Sequence, residues 1–277
     1  MSDAPLNAPV GAQRLSPRVR RRAPEAVHTF SALGLVVGGH GTFQQGGRFR
    51  LQPGDAYLVP AGMRHKLLEV DELDAWGVRF NPPCFASTDV GRLLTPFDRA
   101  RAGGSAVVSI PRERRPFLVT LCTELSASAN DEIASRSLLS LILTEIGRAA
   151  GPAPSVRLRG SLVGDALRFI EHNCLGPLTL ADVARAVHRS PAHVSSMVRR
   201  STGTSVKGWI IAGRLAEAGN RLMHSDDSVE AVAVRVGYAD PTHFIRLFRR
   251  SYGVTPAAWR SRVRGLSAHA GGLARPG

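Results

Sequence analysis

The pattern of apolar and polar positions changes character twice along the chain. Between residues 29 and 80, short apolar runs at 32–37, 56–59 and 74–80 are separated by turn signals such as Gln45-Gly46-Gly47 and Pro53-Gly54-Asp55. Short strands between Gly/Pro turns are typical of a β-sandwich or barrel. We therefore predict a strand-rich domain over residues 25–110, with a further turn at Gly39-His40-Gly41.

The pattern becomes helical after residue 110. Apolar positions recur at intervals of three and four, which predicts helices at about 115–127 and 131–149 within a helical segment at 111–150. The Gly- and Pro-rich stretch that follows predicts a linker at 151–160. Residues 161–264 have helical periodicity throughout, with a long helix at 204–223.

Both ends of the chain lack periodicity. Residues 1–24 are rich in Pro, Ala and Arg, which predicts a disordered basic tail, and we predict a second disordered tail at 265–277. The predicted fold class is therefore α+β with two domains. The first is a β-barrel followed by two helices, and the second is all-α.

Charge separates the same two blocks. The formal net charge is +14, of which residues 151–277 carry +10, residues 1–23 carry +4 and residues 24–150 carry none. Such a basic block favours a polyanionic partner, although a merely solvated basic surface remains an alternative. A membrane partner is disfavoured because no run approaches the roughly 20 apolar residues of a membrane span, and no apolar signal segment begins the chain. The three scattered cysteines (Cys84, Cys122 and Cys174) exclude a disulfide scaffold and favour the cytoplasm.

The most specific signal is a repeat within the basic block. Segments at about 179–200 and 228–251 each contain a hydroxyl N-cap, a short helix with an internal Ala, a tight turn and a second helix that begins with Pro. This is helix-turn-helix construction, in which the second helix enters the major groove of DNA. The helix at 204–223 is about 30 Å long, close to the ~34 Å turn of DNA, so both units can reach successive grooves.

Periodicity assigns the faces of the two second helices. Val194, Val198, Phe244 and Phe248 fall on the core side. Arg246 on the open face is suited to bridge the two acceptors of guanine. The predicted DNA-binding residues are His193, Ser195, Ser196, Arg199, Arg200, Thr242, His243, Arg246, Arg249 and Arg250.

The sequence of this basic block resembles that of the AraC/XylS transcription regulators. The resemblance rests on residues 233–250, from Ala233-Val234-Arg235-Val236-Gly237-Tyr238 to Phe248-Arg249-Arg250, and continues through Trp259-Arg260. It extends to the first unit through Ser201-Thr202-Gly203-Thr204 and Arg214-Leu215-Ala216-Glu217-Ala218. It implies an AraC-type DNA-binding domain over about 100 residues. Because helix 191–200 has few long outward side chains, the second unit or DNA shape is expected to carry more of the specificity.

The first domain resembles the cupin barrel. Gly54 followed by Pro60-Ala61-Gly62-Met63-Arg64-His65 is similar to the second half of the cupin signature, whose His binds metal in enzymes. The partner region around His40 has one His and no nearby carboxylate, so we expect neither metal nor another cofactor. In AraC-type regulators such a barrel binds a small effector. The candidate effector-binding residues are His40, Tyr57, His65, Trp76 and Arg79.

The resemblance implies a cytoplasmic, nucleoid-associated regulator that binds promoter DNA, senses a small effector and pairs two copies through the helices after the barrel. It is expected to be a transcriptional activator that recruits RNA polymerase, and no catalytic motif indicates an enzyme. Two alternatives remain open: a metal-dependent cupin enzyme with a DNA-binding tail, and a DNA-binding protein without an effector.

Overall fold

The computed structural model describes residues 10–15, 25–81, 93–128, 131–151 and 162–262. Six strands form one sheet in the order β1-β5-β2-β4-β6, and β3 pairs with the far half of β2. Every strand pair is antiparallel. The strands are β1 (Val10–Leu15), β2 (Ser31–Gln44), β3 (Arg48–Leu51), β4 (Asp55–Val59), β5 (Lys66–Phe80) and β6 (Val107–Ser109).

The strand β1 corrects the prediction that residues 1–24 are entirely a disordered tail. It pairs with β5 from Val10↔Phe80 to Leu15↔Ala75, and Val10 is buried in the core. The sequence did not reveal it because one buried Val in a segment of mixed polarity gives no clear alternation. The rest of that predicted tail, at 1–9 and 16–24, lies outside the described residues.

The expected turn at Gly39-His40-Gly41 is also wrong. The strand β2 continues through these three residues, and its pairing register with β5 shifts on both sides of Gly38 and again after Thr42. Gly39 has φ +69°, and a Cβ there would lie 2.2 Å from the carbonyl oxygen of Glu72. The glycines therefore allow bulges that bend a long strand. The predicted turn at Gln45-Gly46-Gly47 is confirmed, since it joins β2 to β3.

In the described residues, three α-helices complete the first domain, which we call the sensor domain after the role predicted for it from the sequence. They are α1 (Thr95–Arg101), α2 (Arg115–Ala127) and α3 (Glu132–Ala150), and the last two match the predicted helices closely. Helix α1 was missed within the predicted barrel. The main core lies where one sheet face, including Leu33, Leu58 and Phe80, packs against these helices.

The second domain contains seven helices within the described residues. They are α4 (Leu162–Asn173), α5 (Leu180–Ala186), α6 (Pro191–Thr202), α7 (Val206–His224), α8 (Val229–Arg235), α9 (Pro241–Tyr252) and a last helix at 256–262. The first half of α7 packs with α4, α5 and α6 through Trp209 and Ile210. Its second half packs with α8 and α9 through Leu215 and Leu222. The long helix therefore joins two separate cores.

Two further predictions lie wholly or largely outside the described residues. The linker predicted at 151–160 is described only at Gly151, and the tail predicted at 265–277 is not described. None of the helices that the structure describes is both long and apolar enough to cross a membrane.

Candidate nucleic-acid interface

The first helix-turn-helix unit (α5 and α6) is built from local signals. Thr179 and Asp182 form a reciprocal capping box at the start of α5, and Ser190 caps α6 by accepting from the backbone N–H of His193. The turn between the helices has His188 at φ +52°. A left-handed residue after a helix is usually Gly, so this turn contains a strained side chain.

The second unit (α8 and α9) follows the same plan with one more residue in the turn. Ser228 caps α8, Asp240 caps α9, and Pro241 occupies the first turn of α9. Gly237, with φ +88°, takes the left-handed position that His188 holds in the first unit. Backbone hydrogen bonds from Arg189 to Ala184 and from Tyr238 to Ala233 show that the two turns are equivalent.

The outer faces of α6 and α9 are strongly cationic. Together the two helices contain five arginines and no carboxylate. All five arginines are exposed, whereas the apolar positions Val194, Val198, Phe244 and Phe248 are fully buried, as predicted. Such an exposed arginine surface matches the phosphate backbone and guanine edges of DNA.

Short contacts orient individual side chains on these faces. On α9, the Arg246 guanidinium lies 2.9 Å from His243 Nδ1, which aligns the two side chains along the outer surface. On α6, Arg200 donates to Ser196 Oγ at 3.0 Å. The ten predicted DNA-binding residues all lie outside the cores, with Ser195 and His243 half-buried and the other eight exposed.

Comparisons with known proteins agree with both halves of this architecture. Residues 183–262 match a helix-turn-helix domain model, and residues 16–74 match a cupin domain model. The chain is 24% identical to the HTH-type transcriptional activator RhaR of Klebsiella pneumoniae, over 87% of this chain and 88% of RhaR. It is 26% identical to the arabinose operon regulatory protein of Salmonella typhimurium, over 83% of each chain.

The chain thus has the two domains of an AraC-type transcription regulator. It is therefore a DNA-binding protein that regulates transcription. Over 41% of its length, this AraC-type regulator is also 33% identical to the regulatory protein PocR of Salmonella typhimurium, and the match spans 36% of that protein. Among solved structures, ToxT from Vibrio cholerae is similar over 92% of this chain, with 11% identity and a TM-score of 0.43.

The five predicted effector-binding residues of this AraC-type regulator do not form one site. Trp76 is in the main core, on the sheet face that packs against the helices, and Arg14 stacks over its ring at 5.4 Å. His40 is exposed on the far half of β2, at the wall of a cavity of about 540 Å³. Cross-strand pairs place Tyr57 and Arg79 on the opposite sheet face from Trp76.

The face around Tyr57 contains a cluster of rings. The Tyr57 ring lies 5.0 Å from Phe43, and Phe43 lies 6.3 Å from His65. Tyr57 extends over Gly34, where a Cβ would lie 2.0 Å from the Tyr57 Cζ, so the glycine makes room for the ring. Burial raises the pKa of Tyr57 to about 12, and the hydroxyl stays protonated at neutral pH.

His28 also belongs to this cluster and was not predicted, since a lone His before a strand carries no spacing signal. The His28 ring stacks on Phe30 at 4.6 Å and lies 4.9 Å from His65. Burial lowers the pKa of His65 to about 4, and its Nδ1 donates to the Met63 carbonyl at 3.1 Å. No three His, Cys, Asp or Glu side chains converge in the described part of the chain, so these donors do not fit a metal.

The sensor domain docks directly on the core of the first unit, to which α4 and the start of α7 also belong. Arg101 of α1 is 3% exposed and donates to both carboxylate oxygens of Glu171 on α4, at 2.7 and 3.0 Å. Gly62 packs against Leu167 and Trp209, and Ala61 is part of the core of the first unit. Sequence reasoning missed this contact, because two oppositely charged residues 70 positions apart give no local signal.

The loop between β4 and β5 also reaches the end of the recognition helix α6. Arg64 donates from Nε to the carbonyl of Ser201 at 2.9 Å, and its Nη2 lies 3.5 Å from the carbonyl of Arg200. Cations stabilise the carbonyl-rich C-terminus of a helix. His65, the next residue, faces the ring cluster. The loop therefore connects the interior of the sensor domain to the second helix of the first unit.

Proposed function

We propose that this AraC-type regulator is an effector-responsive transcriptional activator in which the sensor domain controls the first helix-turn-helix unit. The observation that carries the proposal is the docking of the loop 60–65 on α4, α6 and α7. A ligand shifts an equilibrium only if it binds one state better than another. An effector that moves His65 alters the loop and hence the support of α6.

The proposed effector site is the sheet face that contains Tyr57, His65, His28 and Arg79. Apolar rings and a few oriented polar groups are typical of small-molecule sites. Arg79 adds a half-buried guanidinium, and burial lowers its pKa. Its Nη2 donates a long hydrogen bond to Gln13 Oε1 at 3.5 Å. His40 and Trp76 are no longer part of the proposed site.

The effector proposal is tested with the full chain and a panel of small metabolites. A compound that binds the folded state at 100 times its Kd stabilises it by about 2.7 kcal/mol, which is measured as a rise in Tm. We expect that compound to change the affinity for promoter DNA, and Tyr57→Phe to weaken both effects. A compound whose Tm shift depends on Tyr57 but which leaves the affinity for DNA unchanged refutes the proposal that the sensor domain controls DNA binding.

We also propose that α3 pairs two copies of the chain. Ile133 is 81% exposed and Leu141 is 46% exposed, and with Ser137 between them they form one stripe at four-residue spacing. Leu141→Arg is expected to convert a dimer to a monomer in sedimentation experiments. Gln44→Arg at the tip of β2, which adds the same charge, is the control and leaves the dimer intact. A dimer that survives Leu141→Arg contradicts the assignment.

Relatives named as activators support an activating role, in which the DNA-bound dimer recruits RNA polymerase in the cytoplasm. Genome-wide mapping of the DNA bound by the protein, combined with transcript levels in a deletion strain, tests this role. Bound promoters whose transcripts fall in the deletion strain support activation, and transcripts that rise indicate repression.

A further inference from the structure

The C-termini of α4, which packs in the core of the first unit, and of α8, in the second unit, meet at one arginine. Arg214, in the middle of α7, donates from Nε to the carbonyl of Cys174 at 2.6 Å and from Nη2 to the carbonyl of Gly176 at 2.7 Å. Both carbonyls follow the end of α4. Its Nη1 donates to the carbonyl of Gly237 at 2.9 Å, just after the end of α8. One side chain therefore links the first core to the second.

The chemistry of this contact requires arginine. The C-terminal end of a helix carries a partial negative charge, so two such ends repel each other unless a cation lies between them. A guanidinium presents five donors in a rigid fork and can serve three carbonyls at once, whereas a lysine ammonium is a compact point charge on a flexible stem. The guanidinium also lies over the Tyr238 ring at 5.3 Å, which holds its plane in place.

A second observation also shows that the two cores contact each other at this position. Leu175 packs against both cores, and a Cβ at Gly237 would lie 2.7 Å from the Leu175 carbonyl oxygen and 3.0 Å from Arg214 Cζ. The equivalent turn position in the first unit is His188, which is exposed. A side chain is thus tolerated in the turn of the first unit, but the second turn requires Gly because it abuts the end of α4.

We propose that Arg214 is a positioning residue that fixes the separation and phase of the two recognition helices, and so determines the operator spacing that the protein accepts. We call Arg214, Cys174–Gly176 and Gly237 the Arg214 junction. Helix α7, with 19 residues, is about 28 Å long and is one connection between the units. The junction is a second connection, and two connections prevent the hinge motion that a single helix permits.

The test uses the full chain and DNA duplexes selected by the wild-type protein from a random library. Insertions of one to five base pairs are placed between the two half-sites, because about five base pairs turn the second half-site to the opposite side of the duplex. We expect wild-type affinity to fall about tenfold or more at that insertion, and the penalty in Arg214→Ala to shrink to about threefold or less. Affinity for a single half-site should change little.

Two further variants keep the test decisive. Arg214→Lys retains the charge but not the fork, so it should broaden the accepted spacing even if Arg214→Ala fails to fold. Arg221→Ala removes one charge from the same helix, where Arg221 pairs with Glu217 four residues away, and should retain the wild-type spacing profile. A folded Arg214 variant with the wild-type profile overturns the proposal. Equal loss at every spacing, or a selected site with only one half-site, also overturns it.

Discussion

The buried ion pair between the sensor domain and the first unit makes the docking of the two domains testable by one substitution. Glu171→Gln removes the carboxylate that accepts two hydrogen bonds from Arg101, at 2.7 and 3.0 Å. Burial by itself lowers the pKa of the Arg101 guanidinium, but Glu171 and other nearby carboxylates outweigh it and the net pKa is raised. The substitution therefore removes the main counter-charge of a buried cation, which keeps a weaker contact to Asp98 at 3.7 Å and a 3.3 Å hydrogen bond to the Ala61 carbonyl.

The magnitude follows from this geometry. Removing one partner of a buried ion pair costs about 3–5 kcal/mol. We expect the low end, about 3 kcal/mol, because Asp98 stays nearby and Glu171 is 11% exposed. Since the pair spans the two domains, the cost acts on docking, and the docking equilibrium should shift about 100-fold towards separation.

The assay is energy transfer between fluorophores at Gln44 on the sensor domain and Glu230 on α8, with DNA affinity measured in parallel. Asp74→Asn breaks the pair with Arg14, in which both side chains are more than a third exposed, and should cost at most about 1 kcal/mol without separating the domains. Replacing both partners by apolar residues, Arg101→Met with Glu171→Leu, should restore much of the docking. Unchanged energy transfer in Glu171→Gln would refute the reasoning.

Three other substitutions have defined outcomes. The pKa of His65 is about 4 in the folded chain, against an ordinary value of 6.5. Between these two values the proton binds mainly to the unfolded chain, so the free energy of unfolding falls by up to about 3 kcal/mol as the pH falls from 6.5 to 4. Urea unfolding of His65→Asn across that range should lack this dependence, and an unaltered pH profile contradicts it. His188→Gly relieves a left-handed side chain and should raise the free energy of unfolding by about 0.5–1 kcal/mol, whereas a loss of stability would mean that the turn is not strained. Arg246→Ala should reduce the discrimination between operator and random DNA by about 1–3 kcal/mol, while Arg48→Ala on the sensor domain leaves it unchanged.

The local parts of the fold were predictable because their causes lie within a few residues of each other. The caps at Thr179, Ser190 and Ser228 and the prolines at 191 and 241 set the starts of four short helices. The apolar spacing then identified the buried faces of α6 and α9. These signals were sufficient to predict the helix-turn-helix units and the residues on their outer surfaces.

The sensor domain was harder to predict because strand faces depend on register. Trp76 and Arg79 are three positions apart on β5, so alternation alone places them on opposite faces once the strand is known. The sequence did not show that β5 is one uninterrupted strand of 15 residues, nor that bulges carry β2 through its glycines. The candidate effector-binding residues were therefore chosen for their side-chain chemistry alone, and the strand register places them on different faces of the sheet.

The amino-acid sequence alone determined the two-domain order, the paired helix-turn-helix units and the cationic outer faces, because helix periodicity, capping and charge are properties of neighbouring residues. The tertiary structure decided which distant groups meet: Arg101 with Glu171, Arg64 with the end of α6, and Arg214 with two helix ends. These contacts join residues 23 to 137 positions apart. They depend on how whole elements pack, and no local pattern records that packing.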